Sequence, residues 1–162
     1  ALAYNIDKRY NISIKNIIPQ IDKKDYICFM FGEVDCRYKI FTYSKKHKSS
    51  IEEETINVVK KYTDFIKNKF KEYKIILWGP HAQHSNPSHP YIDCDSFNRN
   101  KITKIFNEEL KKICNLNGWK FISIFDIMID DNMETDNSYF LPDTIHLNPK
   151  KSKCLLLEQI II

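Results

Sequence analysis

Three short apolar runs alternate with long amphipathic stretches along the chain. The runs occupy residues 25–32, 74–79 and 119–125. Segments of this length that are apolar at consecutive positions are typical of strands buried on both faces of a parallel sheet. The pattern therefore predicts three parallel strands with no exposed face.

The stretch between the first two runs is typical of a helix. Ser50 followed by Glu53 is a capping box, which indicates where a helix begins. Apolar residues then recur at spacings of three, four and seven up to Tyr73, which places them on one helical face. We expect this helix to cover residues 50–73.

Two more helices are predicted after the second run. An apolar stripe over residues 96–117 is followed by Gly118, which accepts the left-handed conformation of a helix C-cap. A last helix is expected after Pro149, and it carries Cys154 to Ile162.

This alternation of strands and helices predicts one α/β domain over residues 1–162, with helices packed on the faces of a parallel sheet. Three strands are few for such a sheet, so one or two more are expected from the first 24 residues and from a segment preceding Ala1. The chain has no initiator Met and no signal-peptide pattern at its N-terminus. We therefore expect the domain to be incomplete at that end.

The charge pattern argues against nucleic acid as a partner. The chain has 25 basic and 21 acidic residues and a formal charge of +4. Nearly all basic residues are lysines spread along the predicted helices, as on a solvated surface, and they form no cluster with interleaved aromatics. No apolar run approaches the ~20 residues of a membrane span.

Cysteine usage favours a reducing compartment. The five cysteines are an odd number and include no closely spaced pair. Cys28, Cys114 and Cys154 have apolar neighbours in the sequence, where a free thiol behaves as a small hydrophobe. This pattern predicts a cytoplasmic protein without a disulfide framework.

Polar residues follow each predicted strand. Open parallel sheets bind ligands beyond the carboxyl ends of their strands. The segments in question are 32–37, 79–84 and 141–149. We expect them to form one shared rim around an active site.

Asp143 and His146 carry the most specific signal in these segments. An Asp three residues before a His can accept a hydrogen bond from Nδ1–H and leave Nε2 free to act as a base. The spacing alone is a weak motif, because many such pairs only cap a turn. The Pro before it and the Leu-Asn-Pro after it make the interpretation sharper.

Two blocks of the sequence resemble the SGNH, or GDSL-like, hydrolases. Leu141 to Asn148 resembles the last signature block of that family, in which Asp and His complete a triad with a Ser. Phe31 to Arg37 resembles its third block, in the FGEIDCR form of a bacterial subgroup. The resemblance implies a three-layer α/β/α sandwich with a mainly parallel, flavodoxin-like sheet.

The sequence departs from the family pattern at two places. The nucleophilic Ser of the family lies in a Gly-Asp-Ser-like turn after its first strand, and no serine here has that setting. We expect this segment upstream of Ala1; loss of catalysis is the alternative. The family's oxyanion Asn corresponds to Val34, which cannot donate a hydrogen bond, so Arg37 or a backbone N–H would have to replace it.

The charged trio after the first run has two interpretations. Glu33, Asp35 and Arg37 could form an ion pair that orders the loop. Alternatively, together with Gly32, they could contact substrate or an oxyanion, with Arg37 facing the acyl carbonyl or a substrate carboxylate. Cys36 is expected to be packed rather than reactive.

The histidines after the second run also allow two interpretations. His81, His84 and His89, with Asp93 and Cys94 nearby, could supply zinc ligands, although they match no zinc signature. A solvent-facing rim is the favoured interpretation, with His81 closest to the strand end and therefore part of the substrate or oxyanion region.

Together these features predict an ester hydrolase or acyltransferase with a Ser-His-Asp mechanism and no cofactor or metal. The resemblance implies small acyl groups, acetyl above all, on a carbohydrate-like carrier. The first alternative is a non-catalytic SGNH-like domain that binds a glycan or a partner protein. The second is a metal-dependent hydrolase that uses the loop histidines.

Overall fold

Among the described residues, a parallel sheet of three strands forms the centre of the fold. The computed structural model describes residues 3–10, 18–86 and 94–160. In the order in which they lie side by side, the strands are β1 (Tyr26–Met30), β2 (Lys74–Trp78) and β3 (Lys120–Ile122). Both neighbouring pairs are parallel, so the predicted α/β fold with a parallel sheet is confirmed.

Helices connect the strands and cover the sheet. They are α1 (Ile6–Arg9), α2 (Ile40–His47), α3 (Ile51–Lys69), α4 (Ser96–Asn117), α5 (Phe125–Met128) and α6 (Pro149–Ile160). A π-helical turn, Asp35–Lys39, leads into α2, and short 3-10 turns occupy Ile18–Gln20 and Asn137–Tyr139.

The predicted helix boundaries agree closely with the structure. The Ser50 hydroxyl accepts a hydrogen bond from the backbone N–H of Glu53 at 3.0 Å, which caps α3 at its N-terminus. Gly118 has a φ of 66°, the left-handed conformation expected after α4. The helix α3 ends at Lys69, four residues short of the predicted Tyr73.

The main core lies between the sheet and helices α3 and α4. Leu77 in the central strand is fully buried, and so are Tyr62 and Ile66 from α3 and Phe106 and Leu110 from α4. Burying an apolar side chain of this size stabilises the fold by roughly 1.5–3 kcal/mol relative to leaving it exposed. This core fixes α4 against the carboxyl ends of β1 and β2.

The strand β1 differs from its prediction. Phe29 is buried, but Tyr26 and Met30 on the opposite face are 47% and 57% exposed, and Cys28 between them is exposed as well. The prediction of burial on both faces is therefore wrong for β1. The reason is its position: within the described residues β1 is an edge strand, and only one of its faces packs against helices.

The cysteines divide by environment. Among the described residues Cys36, Cys94 and Cys114 are buried free thiols, whereas Cys28 is exposed, so its predicted packing is wrong. The side chain of Cys154 lies outside the described residues. None of the described helices combines the length and apolar character needed to cross a bilayer.

Candidate active site

Asp143 organises the turn that precedes α6. Its Oδ1 accepts backbone N–H groups of Ile145 and His146, both at 2.9 Å. Phe140 and Leu147 form an antiparallel bridge that closes the base of this turn. The local sequence therefore holds residues 141–146 in a fixed hairpin-like loop.

The same carboxylate orients the His146 ring. Asp143 Oδ2 lies 2.7 Å from His146 Nδ1, so Nδ1 carries the proton and donates a hydrogen bond to the carboxylate. The hydrogen bonds from the His146 backbone and ring and from the Ile145 backbone lower the pKa of Asp143 to about 2. Asp143 is therefore ionised at any working pH and stabilises an imidazolium at His146.

His146 Nε2 is open. The His146 side chain is 74% exposed, and no other described residue forms a hydrogen bond with Nε2. A neutral imidazole with Nδ1–H held by a carboxylate has its lone pair on Nε2. This geometry suits a general base.

Two members of the charged trio after β1 pair with each other. Glu33 accepts a hydrogen bond from the Arg37 guanidinium, four residues later in the chain. Both side chains are largely shielded from solvent. Arg37 is thus held by a local carboxylate at the start of the π-helical turn, as in the loop-ordering interpretation.

Asp35, the third member, points into the protein. Its side chain is completely buried and Oδ2 accepts the backbone N–H of Ala3 at 2.6 Å, while Oδ1 has no partner among the described residues. The structure therefore places Asp35 away from a solvent-facing rim. Its role in these contacts is to anchor the N-terminal segment beside the end of β1.

Burial of Asp35 makes the stability of the protein depend on pH. Burial raises the pKa of Asp35 from 3.8 to about 6, although the Ala3 N–H bond opposes this shift. Between these values the folded state binds more protons than the unfolded chain, so the free energy of unfolding falls as the pH rises from 4 to 6. Over this interval the loss is expected to be about 2 kcal/mol.

Urea unfolding of the wild type and Asp35→Asn at pH 4 and pH 7 measures this effect. The wild type should lose more stability than the variant across that interval, because the amide does not titrate. Equal losses in the two proteins would mean that Asp35 stays ionised in the folded state.

His81 follows β2 and faces the same region. Its Nδ1–H donates to the Ala82 carbonyl at 2.7 Å. Burial lowers the pKa of His81, and so do the charges of Arg37 and His146, against the opposing effects of the Ala82 bond and the Glu33 carboxylate. His81 is thus within electrostatic range of Glu33 and Arg37 from the first polar segment and of His146 from the last.

Phe140 joins the loop after β2, residues 79–86, to the Asp143–His146 turn; this loop contains His81 and His84 and is called the histidine loop. The rings of His81 and His84 pack edge-on against Phe140, with centroids 5.6 and 5.2 Å from its own. Phe140 is nearly buried and immediately precedes the turn. Its sequence position gave no signal of this role.

A small cavity opens at the carboxyl ends of β1 and β2. It has a volume of about 130 Å³. Its walls are mainly apolar, with two polar side chains, and consist of Met30, Phe31, Glu33, Trp78, Gly79, Pro80 and His81. Such a cavity can hold a small acyl or alkyl group.

The chain is similar in structure to several solved enzymes. A proposed acylhydrolase from Bacteroides fragilis matches with a TM-score of 0.65 and 16% identity over 99% of this chain and 70% of that one. A GDSL-like lipase from Bacteroides thetaiotaomicron matches with a TM-score of 0.62 and 16% identity over 99% of this chain and 71% of that one.

A third match is a gut microbial diltiazem-metabolizing enzyme, with a TM-score of 0.66 and 18% identity over 98% of this chain. The chain spans only 37% of that protein. No protein-family model and no curated protein matches the sequence.

The chain has the fold of the GDSL-like hydrolases. In this fold the Glu33–Arg37 pair follows β1 and His81 follows β2, and Phe140 next to the Asp143–His146 turn packs against His81. Among the described serines, none has its hydroxyl hydrogen-bonded to His146. Ser13 and Ser88 lie outside the described residues.

The histidine loop holds no metal cluster within the part of the chain that the structure describes, where no three potential ligands lie together. His89 and Asp93, two of the ligands considered from sequence, lie outside that part. His81 and His84 each use Nδ1 in a hydrogen bond to a neighbouring backbone group.

A buried polar network that the sequence did not reveal supports this loop. Asn100 on α4 accepts the backbone N–H of Gln83 and donates to the hydroxyl of Thr135, which in turn donates to the Gln83 carbonyl. These bonds fix the loop after β2 to α4. The presence of an Asn such as Asn100 in an amphipathic helix does not by itself predict such a contact.

Proposed function

We propose that this protein is an ester hydrolase in which His146 is the general base and Asp143 orients it. The observation that carries the proposal is the 2.7 Å bond from His146 Nδ1 to Asp143, with Nε2 open, in a chain with a GDSL-like fold. Small acyl esters of carbohydrate-like alcohols are the proposed substrates. Transfer of the acyl group to an acceptor hydroxyl is the corresponding acyltransferase reaction.

The proposed reaction proceeds through an acyl-enzyme. His146 Nε2 takes the proton of a serine hydroxyl as its oxygen bonds to the acyl carbon. The tetrahedral intermediate then breaks its bond to the alcohol oxygen, and the imidazolium returns the proton to that oxygen. Water or an acceptor hydroxyl repeats the two steps and releases the acyl group.

The serine is proposed to lie upstream of Ala1, on a strand that adds to the free edge of β1. Support comes from the sheet: within the described residues β1 has no neighbouring strand on one side. An added strand would satisfy the backbone groups along this edge.

Backbone N–H groups are the proposed donors to the oxyanion. Val34 offers no side-chain donor, and Arg37 is already paired with Glu33. The first N–H groups of the helical turn after Gly32 have no partner within that helix. Removing one oxyanion donor costs roughly 3 kcal/mol of transition-state stabilisation in other enzymes.

The full-length protein should hydrolyse p-nitrophenyl acetate with turnover and should form a covalent adduct with a serine-directed phosphonate. Peptide mapping of the adduct identifies the nucleophile. Residues 1–162 alone should show no more hydrolysis than free imidazole. If a protein that begins near Ala1 turns over esters, the hydrolase proposal stands but the upstream serine does not.

Val34 favours a second candidate, a non-catalytic domain that binds an acylated glycan. A site without the amide donor of the oxyanion hole could keep the binding geometry and lose the chemistry. This candidate predicts no turnover and no phosphonate adduct in the full-length protein, together with binding of acetylated oligosaccharides by calorimetry.

A further inference from the structure

The tautomer of His81 is fixed by the backbone carbonyl of the next residue, Ala82. The Ala82 carbonyl can only accept a hydrogen bond, so the 2.7 Å contact requires the proton on His81 Nδ1. In the neutral ring Nε2 then bears a lone pair and no proton. His81 therefore presents a hydrogen-bond acceptor.

The surroundings of His81 favour its neutral form and shield part of the ring from water. Burial, the largest effect, lowers the pKa of His81. The ring packs against Phe140 and lines the small apolar cavity with Trp78 and Met30. No other described residue donates a hydrogen bond to Nε2. Since Nε2 is also not one of the fully buried polar atoms that lack a partner, a ligand can reach it.

Within the substrate or oxyanion region that the sequence suggested for His81, this chemistry favours a contact with substrate. An oxyanion needs a donor, and a neutral ring whose N–H is held by Ala82 has none to offer. An acceptor beside an apolar cavity instead suits a ligand that carries an O–H group. A ligand that lacks the O–H leaves this acceptor unpaired, which costs binding energy.

His84 provides an internal contrast. Its ring also packs against Phe140, with centroids 5.2 Å apart, but its Nδ1 accepts a hydrogen bond from the backbone N–H of Asn86 at 3.0 Å. The neutral His84 ring therefore carries its proton on Nε2 and presents a donor. Two histidines on one phenylalanine thus have opposite hydrogen-bonding character.

We propose that His81 Nε2 accepts a hydrogen bond from a hydroxyl of the substrate, close to the ester, and so selects hydroxyl-bearing esters over their deoxy counterparts. This inference rests on the proposed ester hydrolase function and adds to it a specificity-determining residue. The small apolar cavity would hold the acyl or alkyl carbons beside this hydroxyl.

A pair of esters that differ in one hydroxyl tests the inference in the full-length protein. The wild type should have a kcat/KM for 2-hydroxyethyl acetate about tenfold above that for propyl acetate, the value of one hydrogen bond. His81→Phe should bring this ratio close to one while propyl acetate is still hydrolysed. His81→Gln, which retains an acceptor oxygen, should restore part of the preference.

His84→Phe is the matched control, and its ratio should remain that of the wild type. A ratio unchanged in His81→Phe would overturn the inference without affecting the hydrolase proposal. If the wild type hydrolyses no ester at all, the hydrolase proposal is rejected instead.

A second measurement does not depend on turnover. In ¹⁵N spectra of the histidine side chains, ethylene glycol or glycerol should move the His81 Nε2 resonance toward the position of a hydrogen-bonded acceptor. The His84 signals should stay in place. No movement at saturating glycerol would count against the acceptor role even in an active enzyme.

Discussion

Replacing His146 by alanine in the full-length protein is expected to lower kcat for p-nitrophenyl acetate by roughly a thousandfold or more. The reason is that the bond between His146 and Asp143 leaves Nε2 as the base for the nucleophile. Asp143→Asn should have a comparable effect, because an amide can favour the wrong tautomer of the ring. Initial rates at saturating substrate measure both variants.

The chain provides a matched control for this result. His47 also has its Nδ1 beside a carboxylate, at 3.1 Å from Glu54, but it lies at the end of α2 rather than in the turn before α6. His47→Ala should therefore keep wild-type activity. Full activity in His146→Ala would end the proposed mechanism, whatever the geometry of the turn.

Replacing Gly32 by alanine should destabilise the protein by about 3 kcal/mol. Gly32 has a φ of 104°, and an added Cβ would lie 2.5 Å from the ring of Phe106. Backbone strain and overpacking each cost roughly 1–3 kcal/mol. The ring belongs to the buried core, so it cannot move aside without opening a void.

Gly118→Ala separates the two contributions. Gly118 also has a positive φ, 66°, but apart from Gly118 itself and its two chain neighbours nothing lies within 4 Å of the position of an added Cβ. Its replacement should cost only about 1 kcal/mol, from strain alone. Urea denaturation of both variants gives the comparison, and equal losses at the two glycines would show that Phe106 accommodates the methyl group.

Much of the fold was predictable because it depends on local patterns. The apolar run of β2 is buried on both faces as expected, and the capping residues Ser50 and Gly118 define the ends of α3 and α4. These features depend on hydrophobic periodicity and on backbone preferences near each residue. Neither needs knowledge of distant contacts.

The rest depends on packing between distant segments. The sequence of β1 is as apolar as that of β2, yet its exposure is decided by whether a neighbour covers Tyr26 and Met30. Asp35 and Arg37 are two residues apart, but their side chains point in different directions. The π-helical turn directs Asp35 into the core and Arg37 toward Glu33. No charge pattern distinguishes them.

The candidate site likewise has one part that local sequence determines and another that depends on packing between distant segments. The turn from Asp143 to His146 is a local hydrogen-bonding unit, so its spacing was informative. The role of Phe140, the Asn100 network and the tautomers of His81 and His84 arise where α4, the loop after β2 and the final turn meet. Contacts between distant segments produce no recognisable pattern in a single sequence.

In residues 1–162 alone, without the proposed upstream strand, the open edge of β1 also bears on how the chain behaves in a concentrated solution. An uncovered strand with an apolar face is a template for edge-to-edge pairing between molecules. The Lys74 and Lys120 ammonium groups lie over the Tyr26 ring, 5.3 and 5.2 Å from its centre, and place positive charge at one end of the strand. Charged residues at such positions oppose aggregation, so neutralising these two lysines should lower the concentration at which the chain precipitates.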